Sequence, residues 1–392
     1  MPPTEAHADP RDPQPRGPVL WLLAKVVLGL LAGLFVFDRG LAWFDASADL
    51  STGKTLVRDP ELAWVNRPGY TDELSTISSL GLRSPEIPAD APADEVRILG
   101  VGASRFFGAG VGGPHMDQVW APYLEQQCRQ ACGGNWRVLN GAVNGYSAVQ
   151  AARRAIKLIP EVRPDLIVME ISPGSQMMLD PSSARNLVHV GELLLPTDIA
   201  TAFPEPLLPA AAMLHRALNH SAIYTRYRAK VTDQGRRPEE IDRFVLSRAP
   251  RSALIEEMLQ RTFDELRALG VEARAAGVEL RAILIAEPYM DSPQRWRNYT
   301  FDHGDKGAPP VGTARQEPLE VLAEVLEQRG IASYSLLPTL TQIGTDRPRY
   351  TCDKRHWSPA GHELIASAIL QHMLAEGLPE RLKKGRATNP RR

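Results

Sequence analysis

Cysteine is scarce in this chain, with three in 392 residues, and that excludes a disulfide framework. Cys128 and Cys132 stand four apart near the end of an expected helix, a spacing at which bridges are uncommon. Cys352 has no base partner of its own and reads as a small packed residue rather than a nucleophile. An excess of one charge is missing too. Forty-five basic and 46 acidic residues leave a net charge of −1, so no global field draws in nucleic acid or a polyanionic substrate. No internal repeat is visible, and three familiar glycine signatures each lack a required residue. Ser51-Thr52-Gly53-Lys54-Thr55 ends like a phosphate-binding loop, but Ala48 stands where its first glycine belongs. Gly100-Val101-Gly102 follows a strand, yet the third dinucleotide-binding glycine falls on Arg105. Gly102-Ala103-Ser104-Arg105-Phe106 lacks the final glycine of the nucleophile elbow, which argues against an α/β-hydrolase fold.

What is present begins with a long apolar run. Residues 1–18, rich in Pro, Asp and Arg, read as a disordered tail. Residues 19–37 are apolar except for Lys25 and as a helix would reach about 28 Å, near the thickness of a hydrocarbon core. They are expected to form a transmembrane helix, with Lys25 snorkelling to the nearer interface. Ala46 and Ala48 suggest a cleavable signal peptide, but the run exceeds the usual ~7 to 15 residues of such a segment and the alanines lie far beyond its end. Arg11 and Arg16 ahead of the run favour a single-pass arrangement in the cell membrane with the rest of the chain extracytoplasmic.

Residues 38–95 are broken by Pro, Gly, Ser and Asp and read as a connecting lead-in, with short edge strands such as Leu62 to Val65. From 96 to 376 apolar runs of strand length, at 96–102, 136–143, 165–172, 278–286 and 331–337, alternate with helical periodicity. The helices are expected over 118–132, 147–158, 253–276, 318–328 and 359–374, the last with Ser358 as N-cap and Pro359 at its first position. Such alternation predicts an α/β domain, a parallel sheet covered on both faces in three layers with its site at the carboxyl ends of the strands. Residues 177–252 interrupt the pattern and read as an insertion. Residues 377–392 read as a basic tail, in which 381–392 holds six basic and no acidic residues and is expected to be solvated.

Ser104 follows the first buried strand, where an N-cap serine would be the ordinary reading. Asp353 and His356, three residues apart before the last helix, change that reading. A serine hydroxyl is a weak nucleophile until an imidazole takes its proton, and the imidazole needs a carboxylate to fix its tautomer. One loop supplies both. Among the remaining polar residues, His362 reads as a packing or capping histidine, Asp302-His303-Gly304-Asp305 as a turn rather than a metal site, and Met177 with Met178 as packing.

The same segments resemble the SGNH, or GDSL-like, hydrolase family in its membrane-anchored bacterial form. RILGVGASRFFGAGV (97–111) is similar to the family's first block, VLNGAVNGYSAVQ (138–150) to its second and CDKRHWSPAGHELIASAI (352–369) to its last. Asp59-Pro60-Glu61-Leu62, Asn66-Arg67-Pro68-Gly69 and Gly81-Leu82-Arg83 resemble the lead-in of those proteins. The resemblance implies a flavodoxin-like five-stranded parallel sheet and a serine esterase or acylhydrolase that needs neither metal nor cofactor. Its triad would be Ser104, Asp353 and His356, with an oxyanion hole from the Ser104 and Gly145 N–H groups. Two blocks depart from the family. Ala103 replaces the acid before the serine, an acid that supports the loop rather than doing chemistry. Ser172-Pro173-Gly174-Ser175-Gln176 stands in place of a Gly-x-Asn-Asp block, so the oxyanion-hole asparagine falls on Ser175, or on Gly174 without an inserted residue. The expected substrate is a carboxylic ester, including acylated carbohydrate. The alternatives are an O-acyltransferase acting on a surface polysaccharide or cell-wall sugar, and a degenerate binding or assembly protein.

Overall fold

The structure, a computed structural model, describes residues 17–48, 55–59, 61–89, 92–109, 115–177, 187–190, 193–196, 202–218, 221, 223–224, 246–248, 250–251, 253–287, 290, 293–294, 296, 314–342 and 356–388. Cys352, Asp353, the 302–305 cluster, Met178 and the 51–54 stretch lie outside them.

Strands are β1 (Leu56–Asp59), β2 (Ala63–Asn66), β3 (Val96–Val101), β4 (Trp136–Asn140), β5 (Leu166–Ile171), β6 (Leu187–Val190), β7 (Leu193–Pro196), β8 (Glu279–Leu284) and β9 (Ala332–Ser335). The main helices are α1 (Gly17–Ala48), α2 (Ser104–Phe107), α3 (Trp120–Cys132), α4 (Ala148–Val162), α5 (Leu208–Leu218), α6 (Ala253–Ala275), α7 (Glu317–Glu327), α8 (Leu337–Gln342), α9 (Pro359–Ala375) and α10 (Leu378–Thr388). Contacts divide the chain into two units, residues 1–50 with 213–232, and residues 51–212 with 233–392.

The larger unit holds a sheet in the order β4-β3-β5-β8-β9, parallel at every pairing. This is the doubly wound order with one switch point, between β3 and β5. Every residue of β3 and β5 is buried. Because successive side chains point to opposite faces, both faces are covered. Helix α3 packs on α9, and α4 on α6. The expected caps form: the Ser358 side chain accepts the Gly361 N–H at 3.2 Å, and Ser147 with Gln150 makes a capping box ahead of α4. Helix α4 runs past its expected end, through Pro160 to Val162, and closes on Arg163 in the left-handed region.

The lead-in is sewn to the sheet domain by buried hydrogen bonds. Asn66 Nδ2 donates to the carbonyls of Gly81 and Ala142, both at 3.0 Å, and Gln150 Nε2 to that of Leu62 at 2.7 Å. At the other end, residues 378–388 are helical rather than a solvated tail. Leu382 and Arg386 are buried, and Arg386 pairs with Asp165 at 3.0 Å while donating to the Glu95 and Arg163 carbonyls. Cys128 and Cys132 are free thiols; burial pushes Cys128 up to about 12.

In the smaller unit, Leu28, Leu31, Leu34, Phe35 and Val36 of α1 are exposed. Asp38 accepts the Ser221 hydroxyl at 2.8 Å and the Ile223 N–H at 3.0 Å. Among the described residues no helix is long and apolar enough to cross a membrane, so the span expected over 19–37 is not shown.

Candidate active site

Ser104 opens α2 at the carboxyl end of β3 and is half-buried. Four residues make barely one helical turn, so α2 has few backbone bonds of its own and its ends must be held from outside. Glu170, near the end of the adjacent β5, holds its start. Its Oε2 accepts the Ala103 N–H at 2.8 Å and the Phe106 N–H at 3.2 Å. Glu170 is 1% exposed, and burial raises its pKa against the pull of Arg105 and the two N–H donors. Gly102 makes room for it, since a Cβ there would stand 2.5 Å from Glu170 Oε2 and 2.6 Å from its Cβ. The loop support expected of an acid at 103 thus comes from the next strand. Its sequence signal is a lone acid inside the apolar run LIVMEI.

The far end of the turn is held by three side chains. The Phe106 carbonyl accepts from Trp120 Nε1 at 2.9 Å and Asn140 Nδ2 at 2.8 Å. Arg83 donates to the Phe107 carbonyl, to Gly108 at 3.1 Å and to Leu74 at 2.8 Å. Its guanidinium also lies 4.9 Å from the Phe107 ring centre, and burial pulls its pKa down to about 10.

Gly145 is brought alongside by the second block, where Gly141 N–H bonds the Gly100 carbonyl at 2.7 Å and Val143 N–H that of Gly102 at 3.1 Å. Gly145 is exposed with φ +80°, a left-handed conformation that favours glycine. Trp64 Nε1 fixes the turn through the Asn144 carbonyl at 3.0 Å, and Tyr146 OH returns to the Trp64 carbonyl at 2.6 Å. The N–H groups of Ser104 and Gly145 donate to no acceptor among the described residues.

The last block meets the same turn. Trp357, fully buried, sits 6.2 Å from the Phe106 ring and 5.6 Å from His362, which brings the neighbour of His356 against a residue two after Ser104. His356 is half-buried. His362 is fully buried, and burial, then the charges of Arg83 and His356, press it down to about 3. Its ring nitrogens have no partner among the described residues, so it packs rather than caps.

The third block also reaches the turn. A Cβ on Gly174 would lie 3.0 Å from Glu287 Oε1, and Glu287 forms an ion pair with Arg105. Ser175 begins a short 3-10 turn, Ser175–Met177, and its side chain lies outside the described residues, as does Asp353. Ser104, Gly145, His356 and the third block therefore converge at one end of the sheet. Among the described residues no group of His, Cys, Asp and Glu could hold a metal ion.

No family model matches the sequence, and no curated protein matches it. Among solved structures 45 chains match. One is TesA, 15% identical, with 71% of this chain and 97% of that chain covered at a TM-score of 0.36. Another is the lipase/acylhydrolase from Enterococcus faecalis, 14% identical, with coverages of 72% and 96% and a TM-score of 0.39. A third is a mutant of an acetylxylan esterase from Geobacillus stearothermophilus, 12% identical, with coverages of 70% and 93% and a TM-score of 0.36. These likenesses assign no residue a role, and the fold rests on the strand order described above. The chain is similar to structures of esterases and acylhydrolases of the GDSL, or SGNH, kind.

Proposed function

We propose that this chain is a serine hydrolase acting on carboxylic esters, acylated carbohydrates included, through an acyl-enzyme on Ser104. The observation that carries this reading is the nucleophile turn. A half-buried serine stands at the carboxyl end of a central strand, held by Glu170 and Arg83, beside two backbone N–H groups without described acceptors and against the block bearing His356. In acylation Ser104 Oγ attacks the ester carbonyl carbon, its proton passes to His356, and the carbonyl π pair moves onto oxygen, where the Ser104 and Gly145 N–H groups stabilise it. Collapse expels the alcohol with that proton, and water deprotonated by His356 releases the acid. Asp353 orients His356. No step calls on a metal or an organic cofactor.

Residues 19–37 would anchor the chain as a single span with the hydrolase on the extracytoplasmic side. That part of the reading is supported by the apolar run and by the exposed side chains of α1. The test of the chemistry is labelling of the purified chain with a fluorophosphonate. Wild type should label once, and Ser104→Ala and His356→Ala should not label. Labelling that persists in Ser104→Ala overturns the assignment.

A further inference from the structure

We propose that the side-chain amide of Gln176, and not the Ser175 hydroxyl, is the side-chain donor to the oxyanion at Ser104; this rests on the esterase reading above. In the β3–β5 register Val101 pairs with Met169, so the carboxyl ends of the two strands, which lead into Ser104 and Ser172, lie side by side. Glu170 and Ser172 are two apart and project from the same face. That face is the nucleophile's, because Glu170 bonds the Ala103 and Phe106 N–H groups.

Gln176 is docked on Ser172. Its Oε1 accepts the Ser172 N–H at 3.1 Å and the Ser172 hydroxyl at 3.0 Å, two bonds that fix the plane of the amide. Gln176 is 8% exposed. The other end of that plane, Nε2, is buried and has no acceptor among the described residues. A buried donor left in this state is unfavourable, and an acceptor that arrives only with the substrate accounts for it here. An ester carbonyl attacked by Ser104 gains a full negative charge on oxygen only during the reaction, and a preoriented N–H pays no reorganisation at that moment. The neighbouring Gly174 abuts Glu287, the partner of Arg105, which ties the block to the nucleophile turn from a second direction.

The experiment uses the full chain in detergent with p-nitrophenyl acetate. Gln176→Glu keeps the oxygen that Ser172 needs and replaces the donor by an anionic oxygen, while Gln176→Met keeps the length and has no donor. Each folded variant should lose ~10²- to 10³-fold in kcat with KM within about threefold of wild type, and Ser175→Ala should stay within about threefold throughout. A folded donor-less variant with kcat within about threefold of wild type overturns the proposal, as does a loss confined to KM. A second measurement needs no Gln176 variant. A trifluoromethyl ketone added to wild type should shift the Gln176 side-chain NH₂ resonances, and unshifted resonances overturn it. The two readings fail separately. Labelling that survives Ser104→Ala removes the esterase itself, whereas Ser104-dependent labelling with unaltered Gln176 variants removes only this donor.

Discussion

Replacing Glu170 tests the support of the nucleophile turn most directly. Glu170→Ala deletes the one acceptor shared by the Ala103 and Phe106 N–H groups. Each donor left buried without a partner costs about 1 to 3 kcal/mol, so the two together predict a loss of about 2 to 6 kcal/mol. Glu170→Gln retains an oxygen in the same place and should fold. The pH dependence separates charge from shape. Burial raises the folded pKa of Glu170 above 4.5, so the native state binds its proton more tightly than the unfolded state. Stability from this group is therefore present at low pH and falls as pH rises from 4.5 through the raised value. Glu170→Gln lacks that fall, and its stability relative to wild type should climb over the same window. Urea unfolding of the three proteins from pH 4 to 8 measures both effects, with fluorophosphonate labelling rate as the readout of the turn. An alanine variant as stable and as quickly labelled as wild type would refute the support role. A flat difference between glutamine and wild type would refute the charge argument.

Gly102→Ala drives a methyl to within 2.5 Å of Glu170 Oε2 and should cost about 1 to 3 kcal/mol, measured by the urea midpoint, with slower labelling. Gly145→Ala at φ +80° should cost about 1 to 2 kcal/mol and also slow labelling, since the turn must shift to relieve the strain. His362 is held near 3 in the folded state against 6.5 in the unfolded, so unfolding takes up a proton below pH 6.5. Stability should then decline from pH 6.5 toward 3, and His362→Gln should flatten that decline in acid titrations followed by circular dichroism. A topology reporter fused to the C-terminus should be active only outside the cytoplasm if residues 19–37 anchor the chain as proposed.

The five strands were legible because a buried parallel strand is apolar on both faces and leaves a continuous run, as VRILGV and LIVMEI do. Ser358 with Pro359 was legible because capping is local. Ser104, Gly145 and His356 stand on the blocks that singled them out. Glu170 was missed because its role exists only across a strand pair. Arg83 reads in the sequence as part of a connecting stretch, for its carbonyl partners at the nucleophile turn lie 24 and 25 residues away. Arg386 reads as solvated for the same reason, its partners Glu95, Arg163 and Asp165 being far off in the chain. Gln176 carries no local signal, because an amide's lack of an acceptor depends on surroundings that only the fold places.

The Glu170 support of the nucleophile turn also bears on which residue can stand at 103. An acid at 103, the N-cap of α2, and Glu170 would both reach for the Phe106 N–H, and two carboxylates at close range raise one another's pKa. Ala103→Asp would therefore set two acids competing for the Phe106 N–H and push Glu170 higher still.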